Sequence, residues 1–146
     1  MCYNEIGDDM KEKSCGARVY KKENNNLKFL LVHQHNGHYS FPKGHVEEKE
    51  TEIDTALREI KEETNLEVEI DSNFRHQITY LVESKNVMKD AVYFVATPIT
   101  FDLISQEGEI EESIWCSYDE VLEKLEFDNI KEVFKNAYNY ILKNNE

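Results

Sequence analysis

The sequence predicts a fold of the α/β (α+β) class, and three observations predict it. Short β-prone runs recur on both sides of a strongly amphipathic stretch in the middle of the chain. Two further helical stretches close the chain. The 146 residues match the size of one domain, spanning 1–146, and the 40% of hydrophobic residues supplies enough apolar side chain to offset the entropy of ordering a backbone.

Taken in order, residues 15–20 and 27–33 are β-prone runs joined by Lys22-Glu23-Asn24-Asn25-Asn26, turn chemistry that makes them a hairpin or neighbouring strands. Residues 35–44 form a loop with Asn36-Gly37 and Phe41-Pro42-Lys43-Gly44, which delivers the chain into a helix over 51–64. Thr51 and Asp54 are spaced as a capping box, and Ile53, Leu57, Ile60 and Thr64 recur along one side with Ala56 beside them. Residues 67–70, 78–83, 91–97 and 113–116 are strands, with 84–90 a polar connection. Ser117 and Glu120 form a second capping box, and Ile130, Val133, Phe134, Ala137, Tyr138 and Ile141 stripe the last helix. No internal repeat, linker or low-complexity tract interrupts this order.

A net charge of -13 repels a polyanion at long range, which argues against a nucleic-acid partner held by a basic surface. A phosphate-bearing substrate would need a divalent cation held by the protein's own carboxylates. Most of the 30 acidic residues serve solubility. Cys2, Cys15 and Cys116 lack both CxxC spacing and an even-numbered disulfide framework, so they are expected to be reduced thiols. Residues 1–13 have no basic end or apolar stretch of a secretion signal, and no run approaches the length of a membrane span. The expected location is the cytoplasm, with no membrane partner. Oligomeric state leaves no mark in the sequence.

On a helix advancing about 100° per residue, Glu59 and Glu63 lie about 40° apart and Glu62 about 60° from Glu59, so the three are expected to point away from the apolar stripe. Like charges at this spacing oppose helix formation, and a bound cation reverses the sign of that repulsion. Magnesium suits hard oxygen ligands and leaves positions for water and phosphate. Taken alone, the helix is better read as a solvated acidic face. The longer pattern decides: Gly44, five residues, Glu50, seven residues, then Arg58-Glu59-Ile60-Lys61-Glu62-Glu63-Thr64-Asn65-Leu66. Residues 44–66 resemble the Nudix box at all but one specified position. The exception is Asn65, where the family has glycine. Asparagine is the next most tolerant type in the left-handed conformation that ends a helix, and Asn65→Gly is expected to raise stability slightly.

The resemblance implies the Nudix fold, a mixed β-sheet sandwiched between helices, and hydrolysis of a phosphoanhydride bond. It implies that Glu59 and Glu63 hold Mg2+, with Mn2+ a possible substitute. Glu62 is then a further ligand or steers the water, and the Gly44 carbonyl completes the coordination. Arg58 and Glu50 pair to brace the loop, where without the motif they would be a surface ion pair. Family members often recruit another acid before a tryptophan beyond the box, and Glu109, six residues before Trp115, is the candidate among Glu107, Glu111 and Glu112.

The segment from His38 to Glu47 is similar to that entering the box in the asymmetrical dinucleoside tetraphosphate hydrolases, and residues 14–17 and 89–94 extend the similarity. It implies cleavage of diadenosine tetraphosphate to ATP and AMP. Lys43 and Lys89 would contact phosphate oxygens. Tyr80 would stack on adenine or pack in the core, and His38 and His45 would donate to phosphate or remain solvated. The alternatives are a pyrophosphohydrolase of nucleoside triphosphates, ADP-ribose or RNA 5'-ends. Outside catalysis stand a silent ligand-binding module on this fold and a metal-free interaction domain with an acidic helix.

Overall fold

The structure, a computed structural model, describes Tyr3–Asn4 and residues 11–35 and 37–144; Cys2 and Asn36 lie outside the described residues. Strands β1 (Tyr3–Asn4), β2 (Lys11–Glu23), β3 (Asn26–Gln34), β4 (Tyr39–Ser40) and β5 (Lys43–His45) precede helix α1 (Glu52–Thr64). Strands β6 (Val68–Val82), β7 (Val87–Pro98) and β8 (Ile110–Cys116) follow, then helices α2 (Tyr118–Lys124) and α3 (Asp128–Asn144).

The sheet is mixed. Strand β2 runs parallel to β7 through Lys11–Val19 and then turns back on β3 as a hairpin. Asn24 and Asn25 make that turn at φ 52° and 68°, the left-handed pair that matches the twist of the flanking strands. Strand β5 lies antiparallel to β2, pairing Gly16 with Lys43 and Cys15 with Gly44, and β8 lies antiparallel to β3. The predicted runs 67–70 and 78–83 are one strand, β6, whose register slips between Asp71 and His76. Its second half alternates half-buried and exposed positions, so the polar residues 71–77 disguise it as a connection.

Period-2 alternation sends side chains to two cores. Cys15, Ala17 and Val19 of β2, Leu30 of β3 and Val92, Phe94 and Ala96 of β7 pack with Ala56 and Ile60 of α1. Phe29 and Leu31 of β3 and Ala91, Tyr93 and Val95 of β7 face the other way, toward Val121 of α2 and Val133, Phe134 and Ala137 of α3. The sheet is thus covered by helices on both faces, as expected.

Thr51 caps α1, accepting from the Asp54 N–H at 3.0 Å while the Asp54 carboxylate accepts from the Thr51 N–H at 3.1 Å. Ser117 and Glu120 make the same box on α2. Asn65 ends α1 in the left-handed conformation at φ 69°. The buried arc of α1 runs through Ala56, Ile60, Glu63 and Thr64. It is rotated from the expected stripe: Leu57 is left 37% exposed, and Glu63, expected on the outer face, is only 7% exposed.

Candidate active site

Gly44 sits opposite Glu59, and a Cβ at Gly44 would lie 2.0 Å from the Glu59 carboxyl carbon. Glycine at this point of β5 is therefore a requirement of close approach, and it lets the acidic helix lie against the strand that enters it.

Arg58 ties the acidic groups together. Its Nε donates to Glu50 at 2.6 Å and its Nη2 to the same carboxylate at 3.0 Å, a bidentate pair. Nη2 also donates to the His45 carbonyl at 2.9 Å, while Nη1 reaches Glu59 at 2.7 Å and Glu62 at 3.2 Å. Glu50 further accepts from the Glu47 N–H and the Thr55 hydroxyl. The Arg58 guanidinium holds the Glu50 carboxyl down at about 2. The loop before α1 and the helix are thereby fixed to each other.

Glu59 and Glu63 behave in the opposite way. Burial pushes the Glu59 carboxyl up, against the pull of Arg58. Burial, and then the Glu59 charge, push Glu63 up to about 8. Glu63 is held by the Lys43 backbone N–H, yet its Oε1 has no hydrogen-bond partner. A buried carboxylate oxygen left unsatisfied beside a second carboxylate is the chemistry that a cation corrects. Among the described residues no three His, Cys, Asp or Glu side chains are gathered closely enough to hold a metal ion, and Arg58 donates to both Glu59 and Glu62.

Glu109 is exposed, and its charge is near enough to raise Glu63 further. The loop that carries it packs on the end of α1, where Ile104 donates to the Thr64 carbonyl at 3.0 Å and Gln106 to that of Glu63 at 3.2 Å.

Lys43 lies between this cluster and a cleft. Burial lowers its pKa, the charges of Glu63 and Glu59 oppose that, and its amine is within hydrogen-bonding reach of Lys89. Two adjacent amines are a ready anion site. His45 is exposed, with Nε2 3.7 Å from Glu12, and its pKa is lowered by burial and then by Lys89, so it faces the same cationic edge.

The cleft has a volume of about 500 Å³ and is walled by Lys43, His38, Tyr80, Tyr93, Phe127 and Ile130. His38 Nδ1 is paired with Glu126, across the cleft mouth. Tyr80 serves both readings, half-buried against the core and turned to the cleft, with burial pushing its hydroxyl to about 12. Sequence reasoning missed Phe127, Glu126 and Asn129 between α2 and α3, and Tyr93 on β7. The only signal there was Phe127, a large apolar residue among acidic neighbours that stays 59% exposed.

Fold and site together define a class. A NUDIX domain is recognised across residues 13–137, and the chain belongs to the Nudix hydrolase family, whose enzymes generally work with a divalent metal ion. Within it, the chain is similar to the asymmetrical bis(5'-nucleosyl)-tetraphosphatase of Rattus norvegicus, 27% identical over 143 residues that cover 88% of this chain and 95% of that one. The Caenorhabditis elegans protein of the same name is 30% identical over 115 residues, covering 75% and 82%. A solved C. elegans Ap4A hydrolase binary complex shares the fold with a TM-score of 0.83 at 23% identity, covering 90% of this chain and 98% of that one. The NUDIX domain of Shewanella oneidensis NrtR complexed with ADP ribose shares it with a TM-score of 0.70 at 20% identity, covering 88% of each chain. No helix among the described residues is long and apolar enough to cross a membrane.

Proposed function

We propose that the chain, acting as one domain, hydrolyses diadenosine tetraphosphate to ATP and AMP by attack of water on phosphorus. The observation that carries this reading is the position of Lys43, which is close to Glu59 and Glu63 and also lines the aromatic cleft. A phosphate chain bound at Lys43 and Lys89 would have the carboxylates at one end and a base-sized cleft at the other. The names of the rat and nematode relatives support the same substrate.

In this reading Glu59, Glu63 and the Gly44 carbonyl hold the metal, with Glu62 and Glu109 as further acidic groups. Mg2+ fits the all-oxygen donor set, and Mn2+ would substitute. The ion, when bound, neutralises phosphate charge and lowers the pKa of water. Arg58 holds Glu59 and Glu50 in register, a role played through those carboxylates. Lys43 and Lys89 oppose the charge of the phosphate chain, and a carboxylate of the cluster takes the proton of the attacking water. In the same reading His38 and His45 would donate to phosphate, and Tyr80 and Phe127, which line the cleft, would flank a base. Cys15 and Cys116, both buried thiols, support a cytoplasmic setting.

The test is product analysis with Mg2+ or Mn2+ and a panel of diadenosine tetraphosphate, nucleoside triphosphates, ADP-ribose and triphosphorylated RNA. ATP plus AMP from the first substrate is expected. ADP as sole product would overturn the asymmetrical cut, and preferred cleavage of another panel member would reassign the substrate. Binding without turnover of any of them would favour a silent module.

A further inference from the structure

Asn129 lines the cleft from the first turn of α3, between Phe127 and Ile130. The Phe127 carbonyl sets that turn, accepting from the Ile130 and Lys131 N–H groups at 3.1 Å each. The other polar side chains of the wall, the rings of Tyr80 and Tyr93 apart, are engaged. Gln34 donates through Nε2 to the Ser40 Oγ at 3.1 Å, and His38 is paired with Glu126. The Tyr39 hydroxyl donates to Glu112 at 3.4 Å, and Lys43 is within reach of Lys89 and the charges of Glu59 and Glu63. Asn129 is exposed, and its amide has no hydrogen-bond partner among the described residues. The two amides also stand at different ends. Gln34 pairs with Ile110, the neighbour of Glu109, and so lies at the acidic end of the cleft, whereas Asn129 stands with Leu125, Phe127 and Ile130 at the apolar end.

A carboxamide sets an acceptor and a donor side by side. Adenine presents its N6 amino donor next to the N7 acceptor, and an asparagine answers both at once. Guanine keeps N7 and replaces the donor by O6, so two acceptors face the amide and, whichever way it turns, one of them meets its oxygen. We propose that Asn129 is a specificity-determining residue that reads N6 and N7 of an adenine held against Phe127 and Tyr80, so that the cleft favours adenine over guanine. The apolar neighbours Leu125 and Ile130 lower the local dielectric and strengthen such a pair. A phosphate is drawn elsewhere, because an uncharged amide offers it a weak donor while Lys43, with Lys89 beside it, offers charge. This inference deepens the proposed reaction by assigning base recognition within diadenosine tetraphosphate, and it rests on the reading of the cleft as a nucleoside site.

Calorimetric binding of AMP, GMP and 7-deaza-AMP to the wild type, Asn129→Ala and Asn129→Asp tests it without requiring turnover. The wild type should bind AMP about tenfold more tightly than GMP. The 7-deaza analogue keeps N6 and carries carbon in place of N7, and it should also bind several-fold more weakly than AMP. Asn129→Ala should bind all three alike. Asn129→Asp keeps the acceptor for N6 and sets a second acceptor against N7, so it should bind 7-deaza-AMP at least as tightly as AMP. Thermal melting of Asn129→Ala should stay level with the wild type, since the side chain is exposed. Equal wild-type affinities for AMP and GMP, a 7-deaza analogue bound as tightly as AMP by the wild type, or a preference that survives in Asn129→Ala would overturn the inference. Any of these in a protein that still yields ATP and AMP from diadenosine tetraphosphate would leave the proposed reaction standing. The expected preferences in a protein that leaves tetraphosphates uncut would mark failure of the proposed reaction alone. No binding of any mononucleotide would overturn the inference and the nucleoside cleft together.

Discussion

Replacing Glu63 by Gln keeps the side chain's shape and removes a charge that burial and Glu59 both oppose. Two effects of opposite sign should follow. Metal-dependent turnover should fall by at least about 100-fold, as for loss of one preorganised charged group at a reacting centre. The metal-free protein should gain on the order of 1–3 kcal/mol at neutral pH. Glu63 has a folded pKa of about 8 against an ordinary 4.5, so its contribution to stability is present below 4.5 and lost as pH rises through about 8. Metal-free melting curves of wild type and Glu63→Gln should therefore meet in acid and separate across that window; parallel curves would sink the assignment of Glu63 as a strained, buried carboxyl. Gly44→Ala attacks the same site sterically, because its Cβ would meet the Glu59 carboxylate, and turnover should drop about tenfold or more in a protein that still folds. Asn65 behaves differently from its expectation in the sequence. Glycine would relieve the φ of 69°, but the Asn65 amide donates to the Asp102 carbonyl at 3.0 Å and ties down the loop that leads to Glu109. The two terms offset, and Asn65→Gly should shift stability by less than about 0.5 kcal/mol.

Helix α1 is the element on which sequence and structure agree most closely, because its caps and its acidic spacing are local and survive any packing. Its rotation was not legible, since whether Leu57 or Glu63 lies inward depends on where β5 and the loop before β8 press on it. Strand β6 was cut in two for a related reason: a strand with one wet face carries polar residues that look like a turn when its partner β7 is unseen. The cleft was the least legible feature, as its walls come from β6, β7 and the connection between α2 and α3 and meet only in three dimensions. Two changes test how the elements are joined. Gly16 of β2 faces Pro42, where a Cβ would come 2.1 Å from the carbonyl oxygen, so Gly16→Ala should push β5 away and cost about 1–3 kcal/mol in denaturant unfolding. Glu52 links α1 to β6 through Arg75 at 2.8 Å and to β2 through Lys13 at 2.6 Å. The Arg75 guanidinium, opposed by burial and aided by Lys13, holds the Glu52 carboxyl at about 2. A lowered folded pKa gives stability that is present above 4.5 and lost as pH falls toward 2. With partners this exposed, Glu52→Gln should cost no more than about 1 kcal/mol at neutral pH, and the cost should vanish through that acid window.

At the scale of the whole molecule, the net charge of -13 and a polyphosphate substrate repel each other, while Lys43, Lys89 and a bound cation attract it at short range. The two effects respond differently to salt. Repulsion acts over distances comparable with the Debye length, roughly 30 Å at 0.01 M ionic strength and 10 Å at 0.1 M, so added salt removes it. The attraction acts at contact, on groups partly withdrawn from solvent, and is screened much less. With metal held saturating, kcat/KM for diadenosine tetraphosphate should therefore rise, by about two- to tenfold, as ionic strength is raised from 0.01 to 0.1 M with an inert salt. The gain should lie in KM, with kcat unchanged, because screening alters capture and leaves the bound geometry alone. Titrating the metal first fixes the starting point: binding to the native state alone should raise the melting temperature progressively, by an amount equivalent to about 2.7 kcal/mol at a hundredfold excess over Kd, and Glu63→Gln should blunt that rise. A fall of kcat/KM with salt would mean that the cationic edge at Lys43 and Lys89 outweighs the acidic surface even at long range, and capture would then be steered by that edge instead of hindered by the rest of the protein.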